Sequence, residues 1–143
     1  MTKESEERLG KLIGRVSLFS ELSEKQRKNV AKSGVERSFD AGHAIVREGE
    51  TGVGFYLILD GNVEVRKKRK ILSTLSAGDF FGEMGLIDDQ PRSADVVATT
   101  PTSTLCISQW TFAGIVKGNP DIAMGMMKVL AERLRKSNKA LSE

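Results

Sequence analysis

Phe55-Tyr56-Leu57-Ile58-Leu59-Asp60-Gly61-Asn62-Val63-Glu64-Val65 decides the fold. A short apolar run stops at an Asp-Gly turn, and a second short segment follows with Val63 and Val65 as its apolar residues. Similar runs lie on either side: Ala44-Ile45-Val46 before it, then Ile71-Leu72, Val96-Val97-Ala98 and Thr104-Leu105-Cys106-Ile107 after it. Strands of about three to six residues, separated by Gly and Asp turns, predict a small antiparallel sandwich or barrel over residues 35–108. The flanks read differently. Leu9, Leu12, Ile13 and Val16 sit at helical spacing, Ser23 with Gln26 forms a capping-box start, and Gly34 is a plausible stop. After residue 108, Trp110 is expected to anchor a helix onto the roll, and Asn119-Pro120-Asp121 begins another. In that last helix Ile122, Met126, Met127, Leu130 and Leu134 form one apolar stripe, and the end is basic. The expected organisation is one domain: a helical segment 1–34, a β-roll 35–108 and C-terminal helices 109–143.

The chain has 143 residues, 39% of them hydrophobic and 29% charged, which excludes a disordered or collagen-like chain. No apolar run approaches the roughly 18 residues of a membrane span. The N-terminal Met-Thr-Lys-Glu-Ser-Glu-Glu has no apolar stretch behind it, as a secretory signal would. A lone Cys106 without metal-ligand spacing suits a reducing cytoplasm and a small core residue. The net charge of +3 rests on Arg66-Lys67-Lys68-Arg69-Lys70; without these five residues acids outnumber cations. A like-charge run between two strand-like segments reads as a solvated hairpin tip. No aromatics interleave with it and no recognition-helix pattern follows, which argues against nucleic acid as a partner.

The densest anomaly is Gly78-Asp79-Phe80-Phe81-Gly82-Glu83-Met84-Gly85-Leu86-Ile87-Asp88-Asp89-Gln90-Pro91-Arg92-Ser93-Ala94. Three glycines leave backbone N–H groups accessible, and Glu83–Ile87 is long enough for one helical turn, so convergent donors could form an anion site. Arg92 could hold a phosphate bidentately. Glu83 has the wrong charge for that and suits a neighbouring hydroxyl pair, since an ionised carboxylate only accepts. The pattern is that of a phosphorylated sugar site. The competing reading of the same residues is a surface ion pair between Arg92 and Asp88 or Asp89 over an ordinary Gly-rich loop.

These residues resemble the cyclic-nucleotide-binding domain family, over about residues 16–136. The resemblance runs through Leu18-Phe19-Ser20-Glu21-Leu22-Ser23, Phe39-Asp40-Ala41-Gly42-His43-Ala44-Ile45, Glu48-Gly49-Glu50-Thr51-Gly52 and Phe55–Gly61. It is strongest in Phe81-Gly82-Glu83-Met84-Gly85-Leu86 and Pro91-Arg92-Ser93-Ala94, where Arg follows Glu by nine residues inside a glycine framework. The tail from Asn119 to Leu134 resembles the family's final helix. The turn departs from the family pattern, carrying Val53 where many members have Asp.

The resemblance implies an α+β fold: an eight-stranded antiparallel jelly-roll β-roll, flanked by N-terminal helices and a C-terminal hinge and lid pair. Arg92 would pair with a cyclic phosphate and Ser93 would add a hydroxyl. Gly82, Gly85 and Leu86 would offer backbone, with Met84 and Ala94 beside them, and Glu83 would accept from the ribose 2′-OH. Ser93 is compatible with cyclic GMP, but no donor and acceptor set dedicated to guanine accompanies it, which favours cyclic AMP.

The expected function is a stand-alone receptor that signals to a separate effector protein by movement of the C-terminal helix, as monomer or weak homodimer. Arg133 or Arg135 would cap the purine by cation–π contact. A catabolite-activator-type transcription factor would need a DNA-reading motif after residue 141, and a regulatory region of a kinase or channel would likewise make this chain a fragment. A degenerate roll would serve only as an interaction module. A phosphodiesterase would want His/Asp metal clusters, and there is a single histidine, His43. No catalytic residue, metal or membrane partner is expected.

Overall fold

The computed structural model describes residues 3–20, 22–50, 54–82 and 93–142. Helix α1 (Lys3–Gly14) leads through a 3-10 turn (Ser17–Phe19) into α2 (Glu24–Lys32). Eight strands follow: β1 (Val35–Phe39), β2 (Ala44–Val46), β3 (Gly54–Asp60), β4 (Asn62–Lys67), β5 (Lys70–Ser76), β6 (Phe80–Phe81), β7 (Asp95–Ala98) and β8 (Thr102–Ser108). Helices α3 (Gln109–Gly118) and α4 (Pro120–Ser142) close the chain. The strands form two antiparallel four-stranded sheets, ordered β1-β8-β3-β6 and β2-β7-β4-β5, the arrangement of a jelly roll. Among the described residues no helix is long and apolar enough to cross a membrane.

Strand β3 explains the continuous apolar run. Side chains alternate across a strand, and here both faces are covered. Phe55, Leu57 and Leu59 enter a cluster with the helices, which contribute Ile13, Phe19 and Phe112. Tyr56 and Ile58 enter a second cluster between the sheets, with Val46, Val63, Phe81 and Val96. The turn into β4 needs Gly61: its φ is +102°, and a Cβ there would come within 2.6 Å of the Pro101 carbonyl oxygen. The cationic run forms the β4–β5 tip, with Lys67 opposite Lys70 and Lys68 at φ +58°. Arg66 leans back from the tip and donates from Nε to Glu64 at 2.8 Å.

The capping box holds: Ser23 Oγ accepts from Gln26 N at 3.2 Å, and Gln26 Oε1 accepts from Ser23 N at 2.8 Å. The helix ends on Ser33, one residue before Gly34. Asn119 joins three helices. Its Nδ2 donates to the Ile115 carbonyl at 2.9 Å, and its Oδ1 accepts from Gln26 Nε2 at 2.9 Å.

Two expectations about the C-terminal helices are corrected. Trp110 is 90% exposed, and the anchor is Phe112, fully buried with its ring 4.1 Å from Phe55 and nearly parallel to it. Ser108 caps α3 and fixes its phase, and two residues along a helix turn the direction by roughly 200°, so both positions cannot face the roll. The apolar stripe of α4 also divides. Ile122 and Met126 are buried with Val129 packed beside them, whereas Met127 and Leu134 are 55% and 62% exposed. The buried set steps by four and three residues, and Met127 and Leu134 lie on the next face around the helix.

Candidate functional site

Strand β6 is set in place before the cassette begins. At the β5–β6 turn, Asp79 Oδ2 accepts from Ser76 N at 2.9 Å, while Asp79 N donates to the Ser76 carbonyl at 2.9 Å. Gly78 N donates to the Ile58 carbonyl at 2.8 Å, and Ile58 N donates to the Asp79 carbonyl at 2.9 Å. One of the region's acids is therefore spent on a turn. Phe80 and Phe81 then pair with Leu57 and Tyr56, and the Phe81 and Tyr56 rings stack at 4.9 Å. Gly82 leaves the strand at φ +91°, in the left-handed region where a side chain is strained.

The other bank is built on β7. Ser93 is exposed, Ala94 is buried, and Asp95 opens the strand opposite Arg66. Asp95 Oδ1 accepts from Glu48 N at 2.7 Å, tying β7 to the segment after β2. Phe81 and Val96 belong to the same interior cluster, so the two banks rest on one apolar surface although they belong to different sheets. Ile45, Val65, Leu75 and Cys106 pack against this cluster while only partly buried. An apolar surface beside glycine-rich backbone suits a ligand with one flat apolar part and one polar part.

Of the residues expected to bind, Gly82, Ser93 and Ala94 stand at these two banks. Glu83, Met84, Gly85, Leu86 and Arg92 lie outside the described residues. Of the two lid candidates, Arg135 is exposed. Arg133 is half-buried on Phe80: it donates to the Phe80 carbonyl at 2.8 Å, and its guanidinium carbon lies 4.8 Å from the centre of the ring. Sequence reasoning missed this pair, although cation and ring were both noticed separately. His43 is exposed with its ring 5.5 Å from Phe39. Among the described residues no group of three or more His, Cys, Asp or Glu is placed to hold a metal.

A family model described as "Cyclic nucleotide-binding domain" matches residues 36–119. The chain is 38% identical over 96 residues to a cGMP-dependent protein kinase of Eimeria tenella, a match covering 67% of this chain and 9% of that one. It is 36% identical over 96 residues to a cAMP-dependent protein kinase regulatory subunit of Mycosarcoma maydis, covering 64% of this chain and 18% of that one. The solved structure of the Thermus thermophilus catabolite activator protein matches with a TM-score of 0.78 at 28% identity, covering 87% of this chain and 61% of that one. The chain thus spans only a small part of the two kinase-related proteins.

Proposed function

The chain belongs to the cyclic nucleotide-binding domain family, and from that premise we propose that it is a stand-alone receptor module for cyclic AMP, with cyclic GMP as the alternative ligand. The observation that carries the reading is the glycine framework with Glu83 and Arg92 in the sequence, joined to two banks, Gly82 and Ser93–Ala94, that rest on one apolar cluster. Arg92 forms the charge-assisted pair with the cyclic phosphate, and Ser93 donates its hydroxyl to the same group. Main-chain groups of Gly82, Gly85 and Leu86 surround the phosphate. Glu83 accepts from the ribose 2′-OH. One cation is sufficient because a cyclic phosphodiester carries one negative charge.

Signalling requires that the ligand favour one arrangement of a second element. Helix α4 is that element, hinged at Gly118-Asn119-Pro120 and passing the change to a separate effector protein in the cytoplasm. The similarity to short stretches of longer kinases and regulators supports a second reading, in which this module is the sensor portion of such a protein.

A thermal-shift panel of cyclic AMP, cyclic GMP, 5′-AMP and buffer tests the proposal. A ligand at about 100 times its dissociation constant stabilises the fold by about 2.7 kcal/mol. Cyclic AMP is expected to give the largest shift and 5′-AMP a negligible one. A flat panel favours a non-binding interaction module, and equal shifts by 5′-AMP and cyclic AMP reject the proposed site.

A further inference from the structure

The contact between Arg133 and Phe80 joins the last helix to the strand from which the cassette departs. Strand β6 has only two residues and, among the described residues, lies at the edge of its sheet, with β3 as its one neighbouring strand. Arg133 donates to the Phe80 carbonyl at 2.8 Å. The same guanidinium covers the Phe80 ring, which stacks on Phe55 at 5.3 Å, and Phe55 stacks on Phe112 at 4.1 Å. A single column therefore runs from α3 through β3 and β6 to α4, with a cation at its end. Phe80 is 2% exposed, so the column is buried where it meets the strand. Gly82, two residues further, has φ +91° and ends the strand.

We propose that Arg133 is a positioning residue of the nucleotide site. It holds the end of β6 and helix α4 as one unit, so that the placement of the cassette and the docking of the helix are energetically linked. The inference rests on the receptor reading above and deepens it, because it assigns the link to one side chain. Arginine suits the role through its permanent charge and planar fork, which can donate to a carbonyl while lying on a ring. With the strand end held in place before the ligand arrives, less ordering has to accompany binding. By reciprocity, a ligand that favours the held strand also favours the docked helix.

The test compares wild type with Arg133→Ala and Arg133→Lys by cyclic AMP and cyclic GMP titration calorimetry. It is paired with amide hydrogen exchange along α4 with and without nucleotide. Arg133→Ala is expected to weaken binding by about ten-fold, within the usual range of coupling between sites. It should also abolish the nucleotide-dependent gain in protection along α4, while α1 and β8 keep their wild-type protection. Arg133→Lys keeps a cation and a donor but not the planar fork, and should recover only part of the affinity. Unchanged or tighter binding in Arg133→Ala overturns the inference, as does a nucleotide-dependent gain in α4 protection equal to that of wild type. Wild-type protein that binds neither nucleotide overturns the receptor reading and this inference together. Wild-type binding with an unaffected Arg133→Ala overturns the inference alone.

Discussion

Among the described residues, the two faces of strand β3 look onto interiors of different size. On the helix side, Phe55, Leu57 and Leu59 meet Leu9, Ile13, Phe19 and Phe112, and every one of these side chains is at most 8% exposed. On the sheet side, Tyr56 and Ile58 meet Val46, Val63, Val96 and Phe81, which are at most 7% exposed, and both clusters have partly buried neighbours at their margins. Large side chains fill the first space, and truncating any of them leaves a cavity that the surroundings cannot close. The second cluster joins Tyr56, Ile58 and Phe81 to Val46, Val63 and Val96; in the chain Gly82 follows Phe81, and Ala94 lies two residues before Val96. Among the described residues the helix-side cluster has seventeen buried members and the sheet-side cluster six, so the helix side buries more apolar surface and should contribute more to stability.

That division is open to test in both directions. The largest effect is expected on the helix side. Phe19→Ala removes a fully buried ring from the cluster shared by α1, α4 and the roll. It should lower the unfolding free energy by about 3–5 kcal/mol, read from urea denaturation, with nucleotide affinity of the folded molecules little changed. The comparison breaks if stability is untouched or if affinity falls in proportion.

The site side should show the reverse. Arg92→Ala is expected to cost about 2–5 kcal/mol of cyclic AMP affinity by leaving the phosphate unpaired, measured by titration calorimetry. Its midpoint in urea without nucleotide should stay close to that of wild type. Wild-type affinity in this variant rejects the assignment of Arg92. An equal fall in ligand-free stability would instead place the residue among those that hold the fold.

The same contrast explains what could be read from sequence. β3 was legible because burial on both faces leaves an unbroken apolar run, and the hairpin tip was legible because five cations cannot be buried together. Strand β6 was not, since two residues carry no period and Phe80-Phe81 sits within the glycine-rich stretch. Strand β1 is mostly exposed and carries Glu36 and Arg37, so no alternation marks it. In α4 the apolar residues occupy two adjacent faces, and composition cannot say which of them meets the roll. At the site, Gly82 was legible as one of the glycines of an anion-binding frame, not as the end of a strand. Glu83 and Arg92 stood out as a charge pattern in a glycine frame, with their roles supplied by resemblance. The Arg133–Phe80 pair joins residues 53 positions apart and depends on how α4 crosses the roll, which no local pattern encodes.

Trp110 separates the two readings of the C-terminal segment at the smallest scale. Were it the anchor that its size suggests, Trp110→Ala would cost as much as truncating a buried aromatic, about 3–5 kcal/mol. At 90% exposure it has little packing to lose, and a surface substitution of this kind falls within about 0.5 kcal/mol of wild type. Urea denaturation should therefore show overlapping curves for Trp110→Ala and wild type, followed by far-ultraviolet circular dichroism because the indole is the chain's only tryptophan. A loss of several kcal/mol would mean that α3 is rotated about its axis relative to the arrangement described. Phe112 would then leave Phe55, the stack from α3 to Phe80 would have no base, and the larger of the two interiors would lose its link to α3.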